Sequence, residues 1–221
     1  MKNLSTDNIA ALLKTAPEIL GKDKYFNSAV LIPLFNMENQ LHVLFEKRAN
    51  SIRQGGEVSF PGGEFDPGED RNLEETAIRE TGEEIGIEKD KIKVLGKLGT
   101  LVAPMGVAVD AYIAYLNIEE ISELEIDSTE VEKIFSLPLE YFLINKPEEY
   151  NVRLEVHPSD VDANGNELVL LPVKELGLPK RYAKPWTKGR HRILVYKTDH
   201  EVIWGITAEI IYEFSKIINN K

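Results

Sequence analysis

The hydrophobic pattern changes period along the chain, and each change marks an element. Ser28 to Phe35, an almost unbroken apolar run from Ala29 on, reads as a strand. A polar turn at Met37–Gln40 follows, and Leu41, Val43 and Phe45 then recur with period two up to Lys47, which predicts a second strand and a hairpin. After a polar, glycine-containing connection over residues 49–58, the spacing lengthens. Leu73, Ala77, Thr81 and Ile85 fall on one face of a helix that ends at Gly86. Ile92–Val102 is again β-rich, Ala103–Gly106 reads as a turn, and Val107–Leu116 alternates at Val109, Ala111, Ile113 and Tyr115, predicting a long antiparallel pair.

Further on, Ile118–Thr129 reads as an acidic loop. Tyr150–Val156 and Glu167–Val173 read as strands around a turn at Asp162–Asn166. Ile193–Tyr196 is a strand, and a final helix follows Val202, with Thr207 as its expected cap and Trp204 and Ile206 as expected core. At the other end, Ile9, Leu12, Leu13 and Ala16 form a helical stripe within Ser5–Leu20. The expected division is therefore residues 1–24 as a helix packing on the domain and residues 25–221 as one domain with a C-terminal extension. Pattern alone places the chain in the α+β or α/β class.

Composition narrows the chemistry. The 221 residues, 43% hydrophobic, suffice for one sizeable core. A net charge of −11 argues against a general nucleic-acid or membrane binder, while leaving open an anionic small molecule held through a metal or a local basic patch. No cysteine is present, which excludes disulfides, thiolate metal sites and a thiol nucleophile. Met1–Asp7 lacks an apolar core of the signal-peptide type and no run approaches a membrane span, so a cytoplasmic location is the expectation.

The densest chemistry lies in Phe60–Ile87. Gly62, Gly63, Pro67 and Gly68 make a turn-forming loop that brings bare backbone to the start of an acidic helix. On that helix Glu80, Glu83 and Glu84 span an arc of roughly 100°. Each like-charged pair costs on the order of 0.2–0.5 kcal/mol, which a divalent cation would remove, and hard oxygen ligands suit Mg²⁺ or Mn²⁺. A solvated acidic helix is the plainer alternative. Glu75 and Glu83 are each placed to pair with Arg79 at a spacing of four. Arg48 and Arg53 in the preceding connection are candidate clamps for phosphate oxygens, or simply surface arginines. Lys97 faces either the cleft or solvent. The basic segment Lys180–Arg192, with Tyr182 and Trp186, carries groups that stack on bases and contact phosphates, or else balances acidic neighbours.

Gly63 followed by Arg79-Glu80-Thr81-Gly82-Glu83-Glu84-Ile85-Gly86-Ile87 resembles the Nudix box, Gly-x5-Glu-x7-Arg-Glu-U-x-Glu-Glu-x-Gly-U, where U is apolar. Thr81 occupies the first U. Glu69 is correctly placed from Gly63, but two extra residues separate it from Arg79. Leu44–Arg48 and Ile52–Gly63 are similar to the motif preceding the box in the coenzyme A pyrophosphatase branch, as is Ile203-Trp204-Gly205 before the last helix. The resemblance implies an α/β/α sandwich with a mixed central sheet. It implies Glu80, Glu83 and Glu84 as ligands of Mg²⁺ or Mn²⁺, with Arg79 orienting them, one carboxylate as base, and Asp127 or Glu130 as a further ligand. Gly62, Gly63, Arg48 and Arg53 would contact substrate. The implied reaction is hydrolysis of coenzyme A or acyl-coenzyme A to 3′,5′-ADP and (acyl-)4′-phosphopantetheine. Hydrolysis of another nucleoside diphosphate linked to X, such as ADP-ribose, and nucleotide sensing without turnover are the alternatives. Edge strands leave room for a homodimer.

Overall fold

In the computed structural model, which describes residues 9–10, 19–104, 106–187 and 189–220, the unbroken apolar run becomes the middle of strand β1 (Phe26–Met37). It is unbroken because both faces of this strand are covered. Ala29, Leu31 and Phe35 point to helix α1 (Leu73–Ile85), where they meet Ala77 and Ile85. Ile32 and Leu34 point the other way, into a core shared with Phe142 of α2 (Leu139–Ile144) and Ile211 of α3 (Gly205–Asn219).

The hairpin forms as expected, with β2 (Gln40–Arg48) pairing antiparallel to β1 around left-handed Glu38 and Asn39. On the other side β1 runs parallel to β6 (Val107–Leu116), which pairs antiparallel with β5 (Ile92–Ala103). With β3 (Val58–Ser59), β4 (Gly62–Glu64) and β7 (Val131–Pro138), these make a seven-stranded mixed sheet. Helix α1 lies on one face and α2 and α3 on the other, so the class is α/β with a mixed central sheet. Phe45 anchors the second face, its ring 5.0 Å from Phe60 and 5.5 Å from Phe135. Truncating such a residue to alanine costs about 3–5 kcal/mol.

Several expectations change in the C-terminal part. β8 (Glu148–Arg153) does not pair with the segment after Asp162; it pairs with β11 (Arg190–Lys197), which also holds β12 (Val202–Trp204). The strand that pairs around the Asp162–Asn166 turn is β9 (Ser159–Val161), with β10 (Glu167–Val169). Thr207 is not a cap. Helix α3 begins at Gly205, and the Thr207 hydroxyl instead donates to the Val58 carbonyl at 3.0 Å, tying α3 to β3. Trp204 is 43% exposed, and the core position belongs to its neighbour Ile203, because side chains alternate along β12. The expected helix over Ser5–Leu20 lies mostly outside the described residues. Among the described residues no helix is long and apolar enough to cross a membrane.

Candidate active site

The site forms where β1 and β2 part. The two strands pair from Leu34 opposite Val43 to Met37 opposite Gln40 and then diverge. Residues 58–64 fill the gap: β3 pairs with β2 at Glu46 and Lys47, and β4 pairs with β1 at Ser28, Ala29 and Val30. The Pro61 carbonyl accepts the Leu31 amide at 2.9 Å between the two. Glycine is required at the first of the two following positions, and at the second it leaves room for the end of the Glu80 side chain. Gly62 sits at φ 154, where a β-carbon would overlap the Ala29 carbonyl, and a β-carbon on Gly63 would overlap the Glu80 carboxylate.

Helix α1 is set in register by its ends. The Asn72 side chain accepts the Glu74 and Glu75 amides, and Gly86 terminates the helix at φ 67. This turns Ala77, Thr81 and Ile85 into the core and carries Glu84 inward with them, to 3% exposure. Its Oε2 accepts the Gly62 amide at 2.8 Å. Glu80 is half-buried against Gly63, while the Glu83 side chain is 60% exposed. The three glutamates of the predicted ligand set thus occupy three different environments.

Arg79 organises the helix side. Its guanidinium makes a two-pronged pair with Asp70, Nε to Oδ1 at 2.9 Å and Nη2 to Oδ2 at 3.0 Å, and reaches Glu80 and Glu83 at 3.0 Å each. Asp70 also accepts from the Thr76 hydroxyl at 2.9 Å and the Asp66 amide at 3.2 Å. The hydrogen bonds from Arg79, ahead of those from Thr76 and Asp66, lower its pKa to about 2 despite burial. Glu69, expected in this place, lies 3.6 Å from Arg79 with its side chain 63% exposed. The lengthened loop shifts the clasp one residue onward, to Asp70. Glu75 does not pair with Arg79; it is bound to Arg71 through both side chain and amide.

Across from α1, β2 presents Glu46. It is 0% exposed, next to Leu44 and Phe45, which are equally buried. Its Oε1 accepts the Ser59 hydroxyl at 2.8 Å, and its Oε2 has no hydrogen-bond partner. Leaving a buried polar atom unmatched costs about 1–3 kcal/mol, and more for a charged group. Burial raises the pKa of both Glu46 and Glu84, and the charge on Glu46 raises Glu84 further. Glu80 is raised as well, first by burial and then by Glu83 and Glu130, against the pull of Arg79.

The remaining candidates separate. Arg48 stands beside the carboxylates, Nη1 3.9 Å from Glu46 Oε1, and its Nε donates to the Arg53 carbonyl at 3.2 Å. The Arg53 guanidinium lies over the Phe26 ring at 5.8 Å rather than among the glutamates. Asp127 is occupied in a local turn, accepting the Thr129 amide and hydroxyl, whereas the charge of Glu130 acts on both Glu46 and Glu80. Lys97 takes neither predicted orientation alone: it pairs with buried Asp110 at 2.6 Å, which Lys22 and Thr100 also contact. In the basic segment, the Arg181 guanidinium lies over the Tyr182 ring, and Tyr182 meets Trp186 edge to face.

A cleft of about 400 Å³ opens between the glycine loop and α1, lined by Glu64, Asp66, Glu69 and Glu80 with Arg79. Its acidic wall would repel a polyphosphate unless cations entered with it. Among the described residues no three of His, Asp or Glu stand as a ready-made ligand set. The chemistry of the donors nevertheless fits a hard divalent cation: buried carboxyl oxygens, one without a partner, on opposite sides of one loop.

The NUDIX domain matches residues 25–158, more than half of the 221-residue chain. The chain belongs to the Nudix family. Members generally use divalent metal ions and act on small molecules that contain a nucleotide. It is 36% identical to Nudix hydrolase 3 of Caenorhabditis elegans over 138 residues, 60% of this chain and 57% of that protein, so the match spans little over half of that relative. It is 33% identical to the mitochondrial coenzyme A diphosphatase NUDT8 of Homo sapiens over 191 residues, 86% of this chain and 67% of that one. It is 28% identical to the uncharacterized Nudix hydrolase NudL of Photorhabdus laumondii over 194 residues, 88% and 86% of the two chains. This Nudix protein is accordingly a hydrolase.

Sequence reasoning passed over two residues of this Nudix site. Asp70 was hidden by the insertion, since Glu69 satisfies the expected spacing from Gly63. Glu46 carried a signal that went unread: two positions after Leu44, it falls on the same face of the strand as that buried leucine.

Proposed function

We propose that this protein is a divalent-cation-dependent pyrophosphohydrolase that cleaves coenzyme A or acyl-coenzyme A to 3′,5′-ADP and (acyl-)4′-phosphopantetheine. The observation that carries the hydrolytic reading is the facing of buried Glu84 and Glu46 across the glycine loop, with one carboxylate oxygen unmatched. The substrate reading is supported by the residues that precede the box, Leu44–Arg48 and Ile52–Gly63, and by likeness to the human coenzyme A diphosphatase over most of the chain.

Glu80, Glu83 and Glu84 would hold Mg²⁺ or Mn²⁺, with Glu130 favoured over Asp127 as the further carboxylate. When bound, such an ion neutralises phosphate charge and lowers the pKa of a bound water. Gly62 fixes Glu84 through its amide, and Gly63 lets the Glu80 carboxylate lie against the loop. Arg79, itself held by Asp70, fixes Glu80 and Glu83 from the outer side. Arg48, beside Glu46, supplies positive charge suited to phosphate oxygens, whereas the Arg53 guanidinium lies over Phe26 and would have to leave that ring to reach substrate.

Incubation with coenzyme A and Mg²⁺, with products identified by mass, tests the proposal. Release of 3′,5′-ADP and phosphopantetheine is the expected outcome. Fast hydrolysis of ADP-ribose without attack on coenzyme A would transfer the chemistry to a different nucleoside diphosphate, and binding without any turnover would make the protein a sensor.

A further inference from the structure

Two of the deeply buried acids near the sheet are matched by cations: Asp70 by Arg79, and Asp110 by Lys97 and Lys22. Glu46 is not. Among the described residues it is the most deeply buried charged side chain, and the guanidinium of Arg48 stands 3.9 Å from the oxygen that Ser59 already serves. The other oxygen, Oε2, has no amide, hydroxyl or ammonium partner, and the group beside Glu46 is the Glu84 carboxyl. A purely structural side chain here would be apolar, as Leu44 and Phe45 beside it are. A carboxylate oxygen kept dry, unmatched and next to a second carboxylate is the donor arrangement of a hard cation site.

On the reading that the glutamates of α1 hold a divalent ion, we propose that Glu46 is a further ligand of that ion, supplied by β2 and acting jointly with Glu84. The site is then bracketed from both sides of the glycine loop: α1 gives Glu84 and Glu80, and the central sheet gives Glu46. The Ser59 hydroxyl orients Glu46 by occupying one oxygen and leaving the other for the ion. Because the sheet ligand does not depend on substrate, the protein would hold a divalent ion before nucleotide arrives.

The test is a titration of the metal-stripped full-length protein with Mn²⁺, followed by electron paramagnetic resonance, without nucleotide. Glu46→Gln keeps the volume and an acceptor for Ser59 while removing the charge. It should weaken Mn²⁺ binding at least tenfold and shrink the rise in melting temperature that Mn²⁺ gives the parent. The same variant should melt no lower than the parent in EDTA, since it relieves the crowding of Glu84. Glu46→Leu provides a second reading with an apolar side chain. Mn²⁺ affinity equal to the parent's in both variants would overturn the inference. Glu84→Gln and the parent keep the two levels apart. If the parent binds Mn²⁺ and Glu84→Gln loses it while the Glu46 variants do not, only the role of Glu46 falls. If the parent binds no Mn²⁺, the metal-dependent reading falls with it.

Discussion

Two buried charged groups sit about the same glycine loop and are built on opposite plans. In the Asp70–Arg79 clasp both carboxylate oxygens are matched, by the guanidinium, the Thr76 hydroxyl and the Asp66 amide. In the Glu46–Glu84 pair two acids face one another, and one oxygen has no donor. The first plan stabilises: a buried ion pair that keeps its hydrogen bonds holds the loop against α1. On the proposed reading, the second destabilises the metal-free protein, as a binding site does when its binding energy depends on charges held apart from their counter-ions. The protein sets strength beside deficit, and the clasp keeps the deficient pair in place.

The comparison can be broken most directly at Glu84. Glu84→Gln should lower kcat by about a thousandfold or more, roughly 4 kcal/mol of barrier, while the metal-free protein keeps its melting temperature. Full activity in that variant would show that the unmatched carboxylates do not serve hydrolysis. The clasp should respond in the opposite sense. Asp70→Ala leaves a buried guanidinium without its main partner and should cost about 3 kcal/mol or more in urea unfolding, with metal absent. A variant as stable as the parent would mean that Arg79 finds equal partners in Glu80 and Glu83 alone.

pH should separate the two plans further. Glu46 and Glu84 have raised pKa values, so the folded protein binds more protons than the unfolded chain above the ordinary carboxylate range. Metal-free stability should therefore fall as pH rises from about 5 through neutrality, and saturating Mg²⁺ should flatten that slope. Asp70 has the opposite sign. Its contribution is present above its ordinary pKa and is lost as pH falls towards about 2. Thermal melts at several pH values, with EDTA or Mg²⁺, read both limbs. The smallest effect should come at the position that spacing from Gly63 nominated. Glu69→Gln, at a largely exposed side chain, should shift urea stability by no more than about 0.5 kcal/mol. A loss as large as that of Asp70→Ala would restore Glu69 to the clasp.

Local signals predicted local features well. The four-residue spacing of Leu73, Ala77, Thr81 and Ile85 gave the box helix and its buried face, Gly86 its end, and the Met37–Gln40 turn its hairpin. The apolar run at Ala29–Phe35 gave a strand, and the structure covers both of its faces. Prediction was weaker where an element chooses among distant partners. Tyr150 and its neighbours had the composition of a strand, yet the partner is β11, some forty residues away in sequence, and not the nearer segment after Asp162.

The sequence by itself determined a glycine loop leading into an acidic helix with a Nudix pattern, and thus the kind of chemistry to expect. Only the tertiary structure decided which acids share the site. Glu46 and Glu84 lie 38 positions apart in the chain and face one another because β1 and β2 splay and β3 wedges between them. Asp70 displaced Glu69 because two additional residues alter which carboxylate the loop folds inward. Periodicity fixes the direction of a side chain relative to its own element. Its neighbours depend on how elements pack, and in this protein those neighbours separate a matched acid, Asp70, from Glu46, one of whose oxygens is unmatched.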